Sequence, residues 1–154
     1  MAENDWRDDV ASFLEDLRVI EGCKGETPGN FKQFCEFIAE PCFESLSIEL
    51  RKYGIRSRFR THKGKWTAFE VNFPKSRLDN FHYIICLPKN SLELKLKLRI
   101  KGRKNKKSPM EEKVKSFMEN VLPSEILKLP KEELIQDVIK HYKDFSFEAF
   151  SNPG

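Results

Sequence analysis

Apolar residues recur at intervals of three and four in the two outer parts of the chain, and at every second position in a central stretch. The first period belongs to a helix face, the second to a strand with one buried side. Trp6, Val10, Phe13, Leu14 and Leu17 make one helical stripe. Asp5 is placed as its N-cap, and Asp8 and Asp9 sit where the helix dipole favours anions, so a helix is predicted over about 6–20. The segment GCKGETPGN, rich in glycine and containing a proline, predicts a loop. Phe31, Phe34, Cys35, Ile38, Cys42, Leu46, Leu50 and Tyr53 then restore the helical period over about 28–53, with Gly54 as a left-handed stop. Pro41 lacks a backbone donor, which predicts a kink or a break near Glu40.

The period changes to two at Ile55. Four strands are predicted between about 55 and 101: IRSRFRTH, WTAFEVNF after a KGK turn, FHYIICL, and LELKLKLRIK. Short turns join them into an antiparallel meander. Beyond it, Ser108, Pro109 and Glu111 match a capping box with proline at the first helical position, so a helix is predicted over about 109–121, carrying Val114, Phe117, Met118 and Val121. A last helix, about 131–143, carries Leu134, Ile135, Val138, Ile139 and Tyr142. The tail that follows holds Phe145, Phe147 and Phe150, which need a groove on this chain or another.

Helices, strands, then helices predict one α+β domain spanning 1–154: N-terminal helices, a four-stranded antiparallel meander and C-terminal helices in a two-layer sandwich. In element count alone the order resembles cystatin-like and secretion-chaperone-like architectures, with no accompanying motif.

Composition narrows the function classes. A chain of 154 residues that is 39% hydrophobic and 34% charged, with 13 Phe, can bury a core without staples. No apolar run approaches the ~18 residues of a membrane span. The acidic start lacks the basic and apolar regions of a secretory signal, so a cytoplasmic location is expected. Cys23, Cys35, Cys42 and Cys86 follow no disulfide spacing and are expected as reduced thiols, with Cys35 and Cys42 on a buried helix face.

Charge is segregated along the chain. Residues 1–50 hold 4 basic and 12 acidic side chains, net −8, whereas residues 51–107 hold 18 and 3, net +15. Strand parity turns Lys95, Lys97, Arg99 and Lys101 away from Leu92, Leu94, Leu96, Leu98 and Ile100. The same parity turns Arg56, Arg58 and Arg60 outward, together with Trp66 and Ala68. Arg103, Lys104, Lys106 and Lys107 extend this surface as a loop. Cations around an aromatic platform are the equipment of a single-stranded nucleic-acid binder, which makes nucleic acid the expected ligand. Solubility and protection of an edge strand are the competing explanation. The third strand, whose His82, Ile84 and Cys86 make its outer side partly apolar as well, predicts that the C-terminal helices or a protein partner cover part of that face. This makes a protein-interaction module, a homodimer or a chaperone-like adaptor, the rival reading.

Catalytic chemistry finds little support. His62 falls in a predicted turn and His141 near a helix end, where a cation is favoured. His82 and Cys86, with Asp79 upstream, are metal-ligand types too few for a closed zinc site. Glu111 with Glu112 and Glu132 with Glu133 read as helix-start residues. No nucleophile elbow, phosphate loop or dinucleotide fingerprint is present, so neither an enzyme nor a cofactor is expected.

Overall fold

Five antiparallel strands, β1 (Ser57–His62), β2 (Trp66–Asn72), β3 (Asp79–Cys86), β4 (Lys97–Gly102) and β5 (Glu111–Ser116), pair in chain order in a computed structural model. The structure describes residues 6–89, 91–103 and 105–151, with the side chains of 15–25 and 146–151 excepted. Asp5, Lys104 and the last three residues lie outside that range.

Register assigns the two faces of the sheet. Phe59, Phe69, Tyr83 and Ile100 align as one inner row across β1 to β4; Val71 with Phe81 and Ile85 with Leu98 flank it. Against this face pack α1 (Trp6–Phe34), a π-helical turn (Cys35–Ala39), α2 (Glu40–Arg51) and α3 (Lys131–Ser151). Phe43 of α2 is fully buried and stacks on Phe69, with ring centroids 5.3 Å apart. Cys35 and Cys42 lie buried in the same layer as free thiols, and burial pushes both pKa values up to about 12. No helix among the described residues is long and apolar enough to cross a membrane.

The break expected near Glu40 takes the form of the π turn. Glu40 N–H, at the start of α2, donates to Cys35 O, five residues back, immediately before Pro41. Proline cannot donate into the preceding turn, and a widened turn accommodates it. Gly54 stops the helical region at φ +75°, where a Cβ would be strained, and Ile55 N–H donates back to Leu50 O at 3.1 Å.

Four local expectations are overturned. First, no loop separates the N-terminal helices: α1 runs without interruption through Gly22, Gly25, Pro28 and Gly29. A proline inside a helix costs ~3 kcal/mol. Burial of Thr27, Phe31 and Phe34 offsets it, since each large apolar side chain taken from water contributes about 2–3 kcal/mol.

Second, residues 111–116 are strand β5, not a helix, and the sheet has five strands rather than four. Ser108 N–H donates to Asn105 O at 3.1 Å, and Lys107 N–H reaches Asn105 Oδ1 at 2.9 Å, so the capping box lies in a turn between β4 and β5. A helix cap contributes about 1 kcal/mol. Six aligned residue pairs between β4 and β5, with ladder hydrogen bonds at roughly 1 kcal/mol each, outweigh it. Phe117 just beyond is buried edge-on to Phe34, centroids 5.8 Å apart.

Third, the LELKLKLRIK strand is shorter at its start. Only Lys97–Gly102 pairs, and Leu92 is exposed while Leu94 and Leu96 are buried ahead of the ladder. Fourth, the C-terminal tail is helical, because α3 continues to Ser151. Phe145 finds its groove on this chain, over Gly102 and against Phe81, with centroids 5.9 Å apart. A Cβ on Gly102 would stand 2.4 Å from that ring, so only glycine fits beneath it. Phe147 and Phe150 have side chains outside the described set.

Candidate binding face of the sheet

The outer face consists of three cross-strand rows. One runs Arg58, Glu70, His82, Lys101, Glu112; the next Arg60, Ala68, Ile84, Arg99, Val114; the third His62, Trp66, Cys86, Lys97, Ser116. Every one of these positions follows from period-two alternation, and their alignment follows from register. Trp66, Ala68, Ile84 and Cys86 take no part in the core that holds the helices. Arg60, Trp66, Ile84, Arg99, Lys101 and Arg103 border a depression of about 470 Å³ whose lining includes no helical residue. Ile84 is partly exposed, and among the described residues no helical side chain lines the depression beside it.

Glu70 organises the face. Its carboxylate is 2% exposed and accepts from Arg58 Nε at 2.9 Å and from Arg60 Nε and NH2 at 3.1 and 2.9 Å. A carboxylate so enclosed needs both guanidinium groups, because an unpaired buried charge is costly. Arg60 is thereby held with its guanidinium 5.7 Å from the Trp66 ring centroid. On the opposite side Arg99 Nε donates to Glu112 Oε1 at 2.5 Å. That hydrogen bond lowers the Glu112 pKa and raises that of Arg99. Burial pushes the neighbouring Cys86 thiol up, and Arg99 opposes the shift.

The sequence-predicted residues do not form one continuous patch. Arg58, Arg60, Trp66, Lys97, Arg99 and Lys101 share the face. Arg103 joins at its end, with Nε 3.2 Å from Met110 Sδ. Arg56 precedes β1 and lines a separate depression with Arg51, Lys75 and Arg77. Lys95 is exposed ahead of β4 rather than on it, and Lys106 and Lys107 are exposed in the β4–β5 turn. Lys104 lies outside the described residues. Arg58, Arg60 and Arg99 have carboxylate partners on the face itself. Glu70 could be placed outward by parity, but its burial came only from register.

The histidines are placed differently from one another. His62 ends β1 rather than lying in the turn, its ring 5.9 Å from Trp66. His82 lies between Glu70 and Asp79, with Nε2 3.3 Å from Asp79 Oδ2. No group of three or more His, Cys, Asp or Glu side chains among the described residues is placed to hold a metal ion.

Sequence reasoning missed one cluster on the other side of the sheet. Fully buried Tyr83 donates its hydroxyl to Asp137 Oδ2, and His141 Nδ1 lies 2.8 Å from Asp137 O and 3.4 Å from its carboxylate. Lys115 Nζ stands 3.4 Å from His141 Nε2. Burial drives the Tyr83 pKa well above its usual value. Burial opposes the shift at Asp137, but hydrogen bonds from His141 and Tyr83 hold its pKa below the usual carboxylate range, while the same Asp137 hydrogen bond raises that of His141. Four-residue spacing between Asp137 and His141 was the available signal; Tyr83 comes from β3 and was not. With Lys115 occupying the free ring nitrogen, the cluster ties α3 to β3 and β5.

Comparison with protein-family models, with curated proteins and with solved structures finds no match to this chain.

Proposed function

We propose that the protein is a non-enzymatic binder of single-stranded nucleic acid, using the outer face of its sheet. The observation that carries the reading is a partly buried Trp66 with the Arg60 guanidinium 5.7 Å from its ring centroid, on a face flanked by Lys97, Arg99 and Lys101. A base stacked on such a ring contributes about 1–3 kcal/mol, and neighbouring cations take phosphates with release of counterions. Glu70 supports the reading by fixing Arg58 and Arg60 before any ligand arrives, which lowers the entropy lost on binding.

Fluorescence anisotropy of labelled oligonucleotides at ~50 and ~200 mM salt tests this. Lys97→Glu/Lys101→Glu is expected to abolish binding, and Trp66→Ala to weaken it by roughly 10-fold, one stacking contact. Absence of binding at the lower salt would overturn the assignment. A second reading, a protein-interaction module whose basic face serves solubility, is favoured by Trp6, Val10, Phe13 and Leu14, all exposed on α1.

A further inference from the structure

The two ends of the continuous helix α1 have different surroundings. Its C-terminal part is anchored in the core by Phe31 and Phe34, both 0% exposed. Residues 6–14 are all exposed, although Trp6, Val10, Phe13 and Leu14 share one stripe. Monomeric proteins seldom leave so contiguous an apolar surface uncovered. Asp8 and Asp9 outnumber Arg7, whose guanidinium lies 5.4 Å from the Trp6 ring centroid, so residues 6–14 carry net −1. The outer sheet face is its complement. Trp66, Ala68 and Ile84 form an apolar floor, Val114 is 60% exposed beside it, and Arg58, Arg60, Lys97, Arg99 and Lys101 form the walls.

Sizes agree as well. Residues 6–14 extend roughly 13 Å as a helix, about the width of three strands. The helix cannot reach the face of its own chain, because α1 is unbroken from Trp6 to Phe34 and its far end is fixed in the layer on the opposite side of the sheet. From these observations we infer that the N-terminal part of α1 docks on the outer sheet face of a second copy. Reciprocal exchange of the two helices closes the assembly at a dimer. The inference rests on the protein-interaction reading, with the basic face as part of the contact instead of a solubility device, and not on nucleic-acid binding, which the docked helix would block.

Sedimentation velocity on the full chain, without nucleic acid, tests it. The wild type is expected to form a dimer in the micromolar range. Phe13→Asp/Leu14→Asp, at exposed helix positions, and Val114→Asp, on the sheet face, are each expected to be monomeric with unchanged far-UV circular dichroism. Mixed together, the two variants should recover a heterodimer, since one keeps an intact face and the other an intact helix. A wild type that stays monomeric throughout the range overturns the inference. So does a dimer that survives Val114→Asp, which would mean that the helices pair with each other. Should Val114→Asp lose its fold, Lys97→Glu/Lys101→Glu poses the same question through the walls of the face. Nucleic-acid binding that fails while the dimer forms would refute only the ligand proposed above.

Discussion

The two faces of the sheet are made from the same residues in alternation, yet they are held by different physics. On the inner side Phe59, Phe69, Tyr83 and Ile100 align into an apolar row under Phe43. One residue further along each strand, Arg58, Glu70, His82, Lys101 and Glu112 align into a row that mixes cations and carboxylates. Inner contacts depend on volume and on exclusion of water, so they are unforgiving of shape. Outer contacts depend on which carboxylate stands opposite which guanidinium, so they are unforgiving of register. Phenylalanine on one side and arginine on the other are therefore both structural.

The largest effect expected from breaking this contrast is on the inner side. Phe43→Ala removes a fully buried ring stacked on Phe69 and should cost about 3–5 kcal/mol in urea unfolding, leaving a cavity that its neighbours fill incompletely. On the outer side, Arg58→Ala/Arg60→Ala leaves Glu70 enclosed without its guanidinium partners. Because both arginines are more than half exposed, the expected loss is roughly 2 kcal/mol, below the value for a fully buried pair. Lys97→Glu/Lys101→Glu should change stability by less than about 0.5 kcal/mol while removing ligand binding. A large loss there would mean that the outer lysines carry structure as well. Arg58, by contrast, is not the neutral surface position that strand alternation alone suggests.

A smaller effect follows at the seam between the inner face and α3. His141 has a raised pKa in the fold, so its contribution is complete below the ordinary histidine pKa and is lost as pH rises through the raised one. Asp137 has a lowered pKa, so its contribution is complete above the ordinary carboxylate pKa and is lost as pH falls through the lowered one. Thermal stability against pH should therefore decline on both sides of a mildly acidic plateau. His141→Asn should remove the alkaline decline, which differential scanning fluorimetry across that range would register.

The smallest effect concerns the reach of α1. Nothing lies within 4 Å of where a Cβ on Gly29 would stand. Gly29→Ala should raise stability by ~0.5–1 kcal/mol by narrowing the unfolded ensemble. A decrease would show that the helix needs its glycine to bend.

Sequence by itself determined much of which residues go inside and which go out: the alternation from Ser57 to Asn72 and across β3 and β4, the burial of Cys42 and Leu46 on α2 and of Leu134 and Val138 on α3, the stop at Gly54 and the disturbance at Pro41 were legible, whereas buried Phe43 and exposed Ile139 depart from the predicted stripes. These are consequences of period and of backbone chemistry, properties that a residue carries with its immediate neighbours. Tertiary structure alone decided the rest. It drew residues 111–116 into the sheet against a helix signal, carried α1 through Pro28, enclosed Glu70 between two arginines, and brought Tyr83 to Asp137. Each of those outcomes depends on partners nine or more positions away, whose contribution exceeds the local preference of about 1–3 kcal/mol that it overrides.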